Sequence, residues 1–173
     1  MRLILAAIVA WLLAVLGVSA MPYLKILGVT PDLVLIFACC WAVIRSHDEA
    51  MFVVPIAAVA RDLMSSDPVG ISLIAFAPIV VLALFARLQA LDTEFLPAIG
   101  VVAIGTLSFE VIHIFLLALT GTSIEIDYAI LRVVIPSIVV NALFTPILYL
   151  PVRWLSSERS SVLRGAGRLT SPL

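Results

Sequence analysis

Charge is what this chain has least of. Asp, Glu, Lys and Arg together make up 12% of 173 residues, about half the share of an ordinary soluble domain. Apolar residues make up 64%, and mean hydropathy is +1.26. A soluble fold of this length cannot hide that much apolar surface, so the soluble globular classes are excluded and the bilayer is the natural solvent. The apolar–polar alternation that a membrane barrel needs is missing too. The runs are apolar on every side and read as helices, whose backbone polar groups are satisfied internally. Cysteine is confined to Cys39 and Cys40, side by side in an apolar run. Neighbours on a helix point about 100° apart, so these two read as small core residues rather than a disulfide. No basic face with interleaved aromatics is present, which excludes a nucleic-acid partner.

What the sequence does have is six apolar segments, at 3–21, 31–46, 49–65, 68–87, 95–120 and 126–153. A spanning helix needs roughly 20 apolar residues. The second and third are short. They must extend into their flanks, thin the bilayer, or lie inside a shell of other helices. The expected fold is an all-α integral membrane protein, a single domain of six transmembrane helices over 1–155 with a flexible arginine-containing tail over 156–173. Thr30-Pro31-Asp32 offers a hydroxyl cap, a proline at the first helical position and a carboxylate near the positive end of the second helix. Asp67-Pro68 repeats the device for the fourth, and Thr122 with Glu125 fits a capping box for the sixth. Pro55, Pro78, Pro136 and Pro146 predict kinks.

Six crossings put both ends on one side. That side holds Arg2, Arg45, Arg87, Arg153, Arg159, Arg164 and Arg168, against Lys25 alone on the other. The positive-inside rule then makes both termini cytoplasmic. Met1-Arg2, the following apolar stretch and Val18-Ser19-Ala20 also resemble a secretory signal; the segment is read as a retained first span.

Arg61, Asp62, Glu110, His113, Arg132 and Asn141 fall inside these segments. A lone charge at the bilayer centre costs at least about 2.5–3.5 kcal/mol, so they are expected to face inward as one buried polar cluster. In that cluster Arg132 would face Glu110 and Arg61 would lie near either carboxylate. Interhelical glue, a ligand or ion pathway, and coupling to a partner helix all remain open as roles. Glu110-Val-Ile-His113 has the Glu-x-x-His spacing of di-iron bundles, but such sites need a second copy, so no metal is expected. No nucleophile accompanies His113, so no catalytic residue is assigned. Ala6, Ala10 and Ala14 repeat at four-residue spacing, which allows close helix approach, either internally or to another membrane protein.

Several segments, in order along the chain, resemble the bacterial rod shape-determining protein MreD family. These are Pro31-Asp32-Leu33-Val34-Leu35 followed by Trp41, Asp62-Leu63 followed by Pro68 and Gly70, the acidic Glu110, and Asn141-Ala-Leu-Phe-Thr-Pro146 followed by Arg153. Ala58 and Ser66 stand where the family has glycines, and Arg61 beside Asp62 is a further departure. The resemblance implies the six-helix fold of the substrate-binding subunits of energy-coupling-factor transporters, and residence in the bacterial cytoplasmic membrane. It also implies a non-enzymatic scaffold of the cell-elongation machinery, without cofactor. Its implied partners are membrane lipids and MreC, and through the assembly a RodA-type glycosyltransferase, a class B penicillin-binding transpeptidase and MreB. Candidate partner-facing residues are Ala6, Ala10, Ala14, Asp32, Trp41, Pro68 and Gly70. The alternative is a vitamin- or micronutrient-binding transporter subunit. An outer cavity lined by Glu110, His113 and Arg132 would favour uptake, whereas a closed, side-chain-filled interior would favour the scaffold.

Overall fold

The computed structural model describes the backbone of residues 2–66, 68–88, 95–119 and 130–166, and the side chains of 3–66, 68–85, 95–119 and 130–154. It is all-helical. The elements are α1 (Arg2–Ser19), a short 3-10 turn (Met21–Tyr23), α2 (Leu33–Ile44), α3 (His47–Met64), α4 (Ile71–Leu88) and α5 (Phe95–Leu119). A π-helical turn (Ile130–Val134) then leads into α6 (Ile135–Ala166). Two stretches, Phe95–Leu119 and Ile130–Trp154, are long and apolar enough to cross a membrane; Leu3–Ser19, Leu33–Ile44 and Ile71–Phe85 are shorter apolar helices. The helix of α6 continues past Trp154 to Ala166, so most of the expected flexible tail is helical, and 167–173 lie outside the described residues.

α2 is the hub. Every residue from Leu33 to Ala42 is buried, and α2 touches α1, α3, α4, α5 and α6. A helix that is apolar on all sides is stable only when enclosed, so of the three options open to this short segment, the shell of other helices is the one observed. Its start differs from expectation. Asp32 is itself the N-cap, its carboxylate accepting the Leu35 N–H at 3.0 Å; Thr30 and Pro31 precede the cap. Only Arg45 and Ser46 separate α2 from α3. Ser46 caps α3 by accepting the Glu49 N–H, and Arg45 reaches Glu49 one turn on at 3.8 Å.

The interior mixes large side chains, among them Phe37, Trp41, Phe76, Phe109 and Tyr149, with small ones where helices come close. Ala6, Ala10 and Ala14 of α1 are buried where that helix meets α2 and α3. On α5, a Cβ added at Gly105 would lie 3.0 Å from the Cys39 sulfur of α2, so glycine is what lets these two helices approach. Large apolar residues also lie on the outside: Ile8 and Trp11 on α1, Phe85 on α4, Phe115 on α5, Leu143 and Ile147 on α6 are all exposed. Pro55, Pro78 and Pro146 lie within α3, α4 and α6. Pro136 is the second residue of α6, directly after the π-helical turn that ends at Val134.

Between the 3-10 turn and α2, Ile26 and Val29 exchange both backbone hydrogen bonds, at 2.9 and 3.1 Å. Leu27 (φ 55°) and Gly28 (φ 85°) between them both have positive φ, as a type I′ turn requires.

Candidate functional site

A continuous chain of hydrogen bonds ties five helices together, from the middle of α5 and the first half of α6 to the start of α2, the end of α3 and the start of α4. It starts on α5, where the Thr106 hydroxyl accepts from Asn141 Nδ2 of α6 at 3.2 Å. Asn141 Oδ1 accepts the backbone N–H of Asp32 at 2.9 Å, across 109 positions of sequence. The Asp32 carboxylate, while capping α2, also accepts from Arg61 Nε of α3 at 2.7 Å. Arg61 donates from its other side to the Ser72 hydroxyl of α4 at 2.8 Å, and its guanidinium lies 4.5 Å from the centre of the Phe109 ring. Ser72 donates its backbone N–H to Asp62 at 3.1 Å, and Gly70 donates its own to the same carboxylate at 2.7 Å.

Local sequence explains each piece. Asp62 comes one turn from the end of α3, and its carboxylate meets the N-terminus of α4 after the turn. There it satisfies two orphan N–H groups and interacts with the positive end of the helix. Asp62 therefore does the capping expected of Asp67, which lies outside the described residues, as do Thr122 and Glu125. Gly70 has φ +104° with nothing near its missing Cβ, so backbone conformation rather than space calls for glycine there.

The expected cluster is thus partly assembled and partly not. Arg61, Asp62 and Asn141 belong to the chain of bonds. Arg61 pairs with Asp32 rather than with Asp62 or Glu110. Arg132 is exposed on the π-helical turn, outside the cluster: the π turn carries its side chain outward, so the proposed pairing with Glu110 is not formed. His113 stacks on Phe109, ring centres 5.2 Å apart and 18° from parallel, and so touches the network through the ring that lies under Arg61. Of the candidate partner-facing residues, the three alanines and Trp41 are buried within the chain. Asp32 is committed to Arg61, Gly70 is half-buried, and Pro68 alone is well exposed. Ser72, Thr106, Ser137 and Thr145 are buried polar residues that sequence reasoning passed over. Each is a small hydroxyl in an apolar run, and only partnership in space gives it meaning.

Beside the network lies a cavity of about 450 Å³, within the roughly 300–1,000 Å³ range of small-ligand sites. Asp32, Arg61, Glu110 and Ser137 supply its polar wall, Ala14, Val18, Met64 and Val133 its apolar one, and Lys25 and Gly28 of the turn region its rim. The Glu110 carboxylate hydrogen-bonds with the Ser137 side chain. α1 and α6, on opposite sides of this cavity, do not touch among the described residues. The cavity contains Glu110 but neither His113 nor Arg132. Among the described residues no group of three or more His, Cys, Asp or Glu side chains stands together to hold a metal.

Comparisons with protein-family models, with curated protein sequences and with solved structures return no match.

Proposed function

We propose that this chain is a six-span protein of the bacterial cytoplasmic membrane, both ends cytoplasmic, that serves as an MreD-like, non-enzymatic scaffold of the cell-elongation machinery and holds MreC. One observation carries the reading. Four of the residues on which the resemblance rests, Asp32, Asp62, Gly70 and Asn141, are far apart in sequence yet meet in one hydrogen-bonded chain. Their joint place in one network supports reading them as a set. The outer surface supports the membrane part of the reading: large apolar residues cover the outside, well beyond the apolar patches that soluble monomers expose. The network would then fix the geometry of the surface offered to the single membrane helix of MreC. Its polar groups face one another, as intramembrane polar residues must.

The test is purification of the tagged chain in mild detergent from cells that carry MreC, followed by identification of what comes with it. Recovery of MreC, lost in Asp62→Ala but kept in Arg132→Ala, is the expected result. Full MreC recovery with normal rod shape in Asp62→Ala removes the scaffold role of the network.

The cavity beside Glu110 favours a second reading, a substrate-binding subunit of an energy-coupling-factor-type transporter. Recovery of a transporter ATPase in place of MreC, together with a bound vitamin, would select it.

A further inference from the structure

Four charged side chains line the cavity, Lys25 and Arg61 against Asp32 and Glu110, equal in number but unevenly paired. Arg61 carries one positive charge, and Asp32 takes it directly at 2.7 Å. Asp62 is held by the N–H groups at the start of α4. Glu110 has the Ser137 hydroxyl as its hydrogen-bond partner and Arg61 as the nearby cation, but Arg61 is already paired with Asp32, and Arg132, the arginine expected to face Glu110, is on the outside of the bundle. Glu110 is nine residues from the end of α5, roughly 13 Å along the helix, and its carboxylate lines a cavity rather than packed protein. An ionised carboxylate in an apolar setting requires a cation or it stays costly. Lys25 also borders the cavity, but at its rim; it is exposed and forms no ion pair among the described residues.

We infer that the cavity binds a phosphoethanolamine group, its ammonium seated on Glu110 and Ser137 and its phosphate at the rim beside Lys25. The wall chemistry fits both ends of such a zwitterion. An ammonium needs acceptors, which Glu110 and Ser137 supply; a phosphate needs a cation near water, which Lys25 supplies. Apolar Ala14, Val18, Met64 and Val133 surround the polar end, and α1 and α6, which both line the cavity, make no contact with each other among the described residues. The favoured source is therefore a membrane aminophospholipid rather than a soluble amine. The inference rests on the membrane part of the proposed function and is independent of the partner protein.

The experiment uses the full chain purified in dodecyl-maltoside. Its thermal unfolding is followed with added dioleoyl phosphatidylethanolamine, phosphatidylcholine or phosphatidylglycerol, or with soluble phosphoethanolamine. Native mass spectrometry reads the lipid kept through purification. Phosphatidylethanolamine should stabilise the protein and be the lipid retained. Phosphatidylcholine, whose methylated ammonium has no N–H to donate, and phosphatidylglycerol, which has no ammonium, should do neither. Glu110→Gln should lower the affinity about ten- to a hundredfold, the range for a lost charge-assisted hydrogen bond. Because Glu110→Gln alters a half-buried site, Val133→Trp provides the second variant: it fills the cavity mouth with Glu110 intact and should abolish the response. A matching shift with phosphoethanolamine alone supports the seat and makes its ligand soluble. Equal responses to all three lipids, or an undiminished preference in both variants, overturns the inference. Carbonate extraction of the source membranes, run in parallel, shows separately whether the chain is membrane-integral, so a failure of that reading is not mistaken for a failure of this one.

Discussion

The contact between Asp32 and Arg61 can be tested by a double-mutant cycle whose outcome follows from its surroundings. Asp32→Asn keeps an oxygen to accept the Leu35 N–H and so preserves the cap of α2, but it leaves Arg61 without its counter-charge. Arg61→Met keeps length and apolar contact with Phe109, but it strands the Asp32 carboxylate. Breaking one partner of a fully buried pair costs about 3–5 kcal/mol. Here the two side chains are 20% and 21% exposed, so some water reaches them and about 2–3 kcal/mol is the better figure for each single variant, in line with the cost of a lone intramembrane charge. The double variant removes both charges together and with them both desolvation costs. It should be less damaged than either single, which requires a coupling of at least about 3 kcal/mol. Reversible unfolding in mixed micelles of dodecyl-maltoside and SDS, monitored by tryptophan fluorescence, measures all four corners of the cycle. Additive losses, within the roughly 0.3–0.5 kcal/mol seen for independent sites, would mean that the 2.7 Å contact has no energetic reality.

Asn141→Leu leaves the Asp32 N–H and the Thr106 hydroxyl without their partner, and at about 1–3 kcal/mol for each buried group left unsatisfied the same unfolding assay should register a loss of about 2–6 kcal/mol. Gly105→Ala sets a methyl 3.0 Å from the Cys39 sulfur, which should destabilise by about 1–3 kcal/mol through overpacking; adding Cys39→Ala should restore most of that, and no rescue would place α2 and α5 farther apart than described. Arg132→Ala, at an exposed position, should change stability by less than about 0.5 kcal/mol; a loss of several kcal/mol would return Arg132 to the buried cluster.

The helices were legible in the sequence because their signal is bulk apolarity, and it survives without any knowledge of neighbours. The polar residues worth examining were legible for the same reason: Arg61, Asp62, Glu110 and Asn141 stand out against apolar runs. Their pairing was not. Arg132 and Glu110 balance on paper, but the π-helical turn rotates Arg132 outward, and no spacing rule announces a five-residue change of helical register. Asp32 looked like a boundary residue, and it is one. Its second role as acceptor for Arg61 depends on α3 returning alongside α2, which only the tertiary fold decides. The alanine stripe of α1 showed correctly that a close approach occurs, but periodicity does not name the partner. That partner is the chain's own α2 and α3.

The bundle has two kinds of adhesive, and they are distributed unequally. α2 through α6 share both small-residue packing and the run of hydrogen bonds from Thr106 to Gly70, each bond of which fixes one helix against another in a definite register. α1 shares only the first kind. Its buried alanines rest on α2 and α3, and it takes no part in the hydrogen-bonded chain. On the membrane reading proposed above, apolar contact between helices has little advantage over contact with acyl chains, so among the described residues α1 is held by close packing. The five-helix unit therefore keeps its geometry whatever α1 does, whereas the cavity, with Ala14 and Val18 on one wall and Glu110 and Ser137 on another, changes width with any shift of α1. An occupant that bridges those walls would supply α1 with a polar contact of the kind that the other five helices have among the described residues.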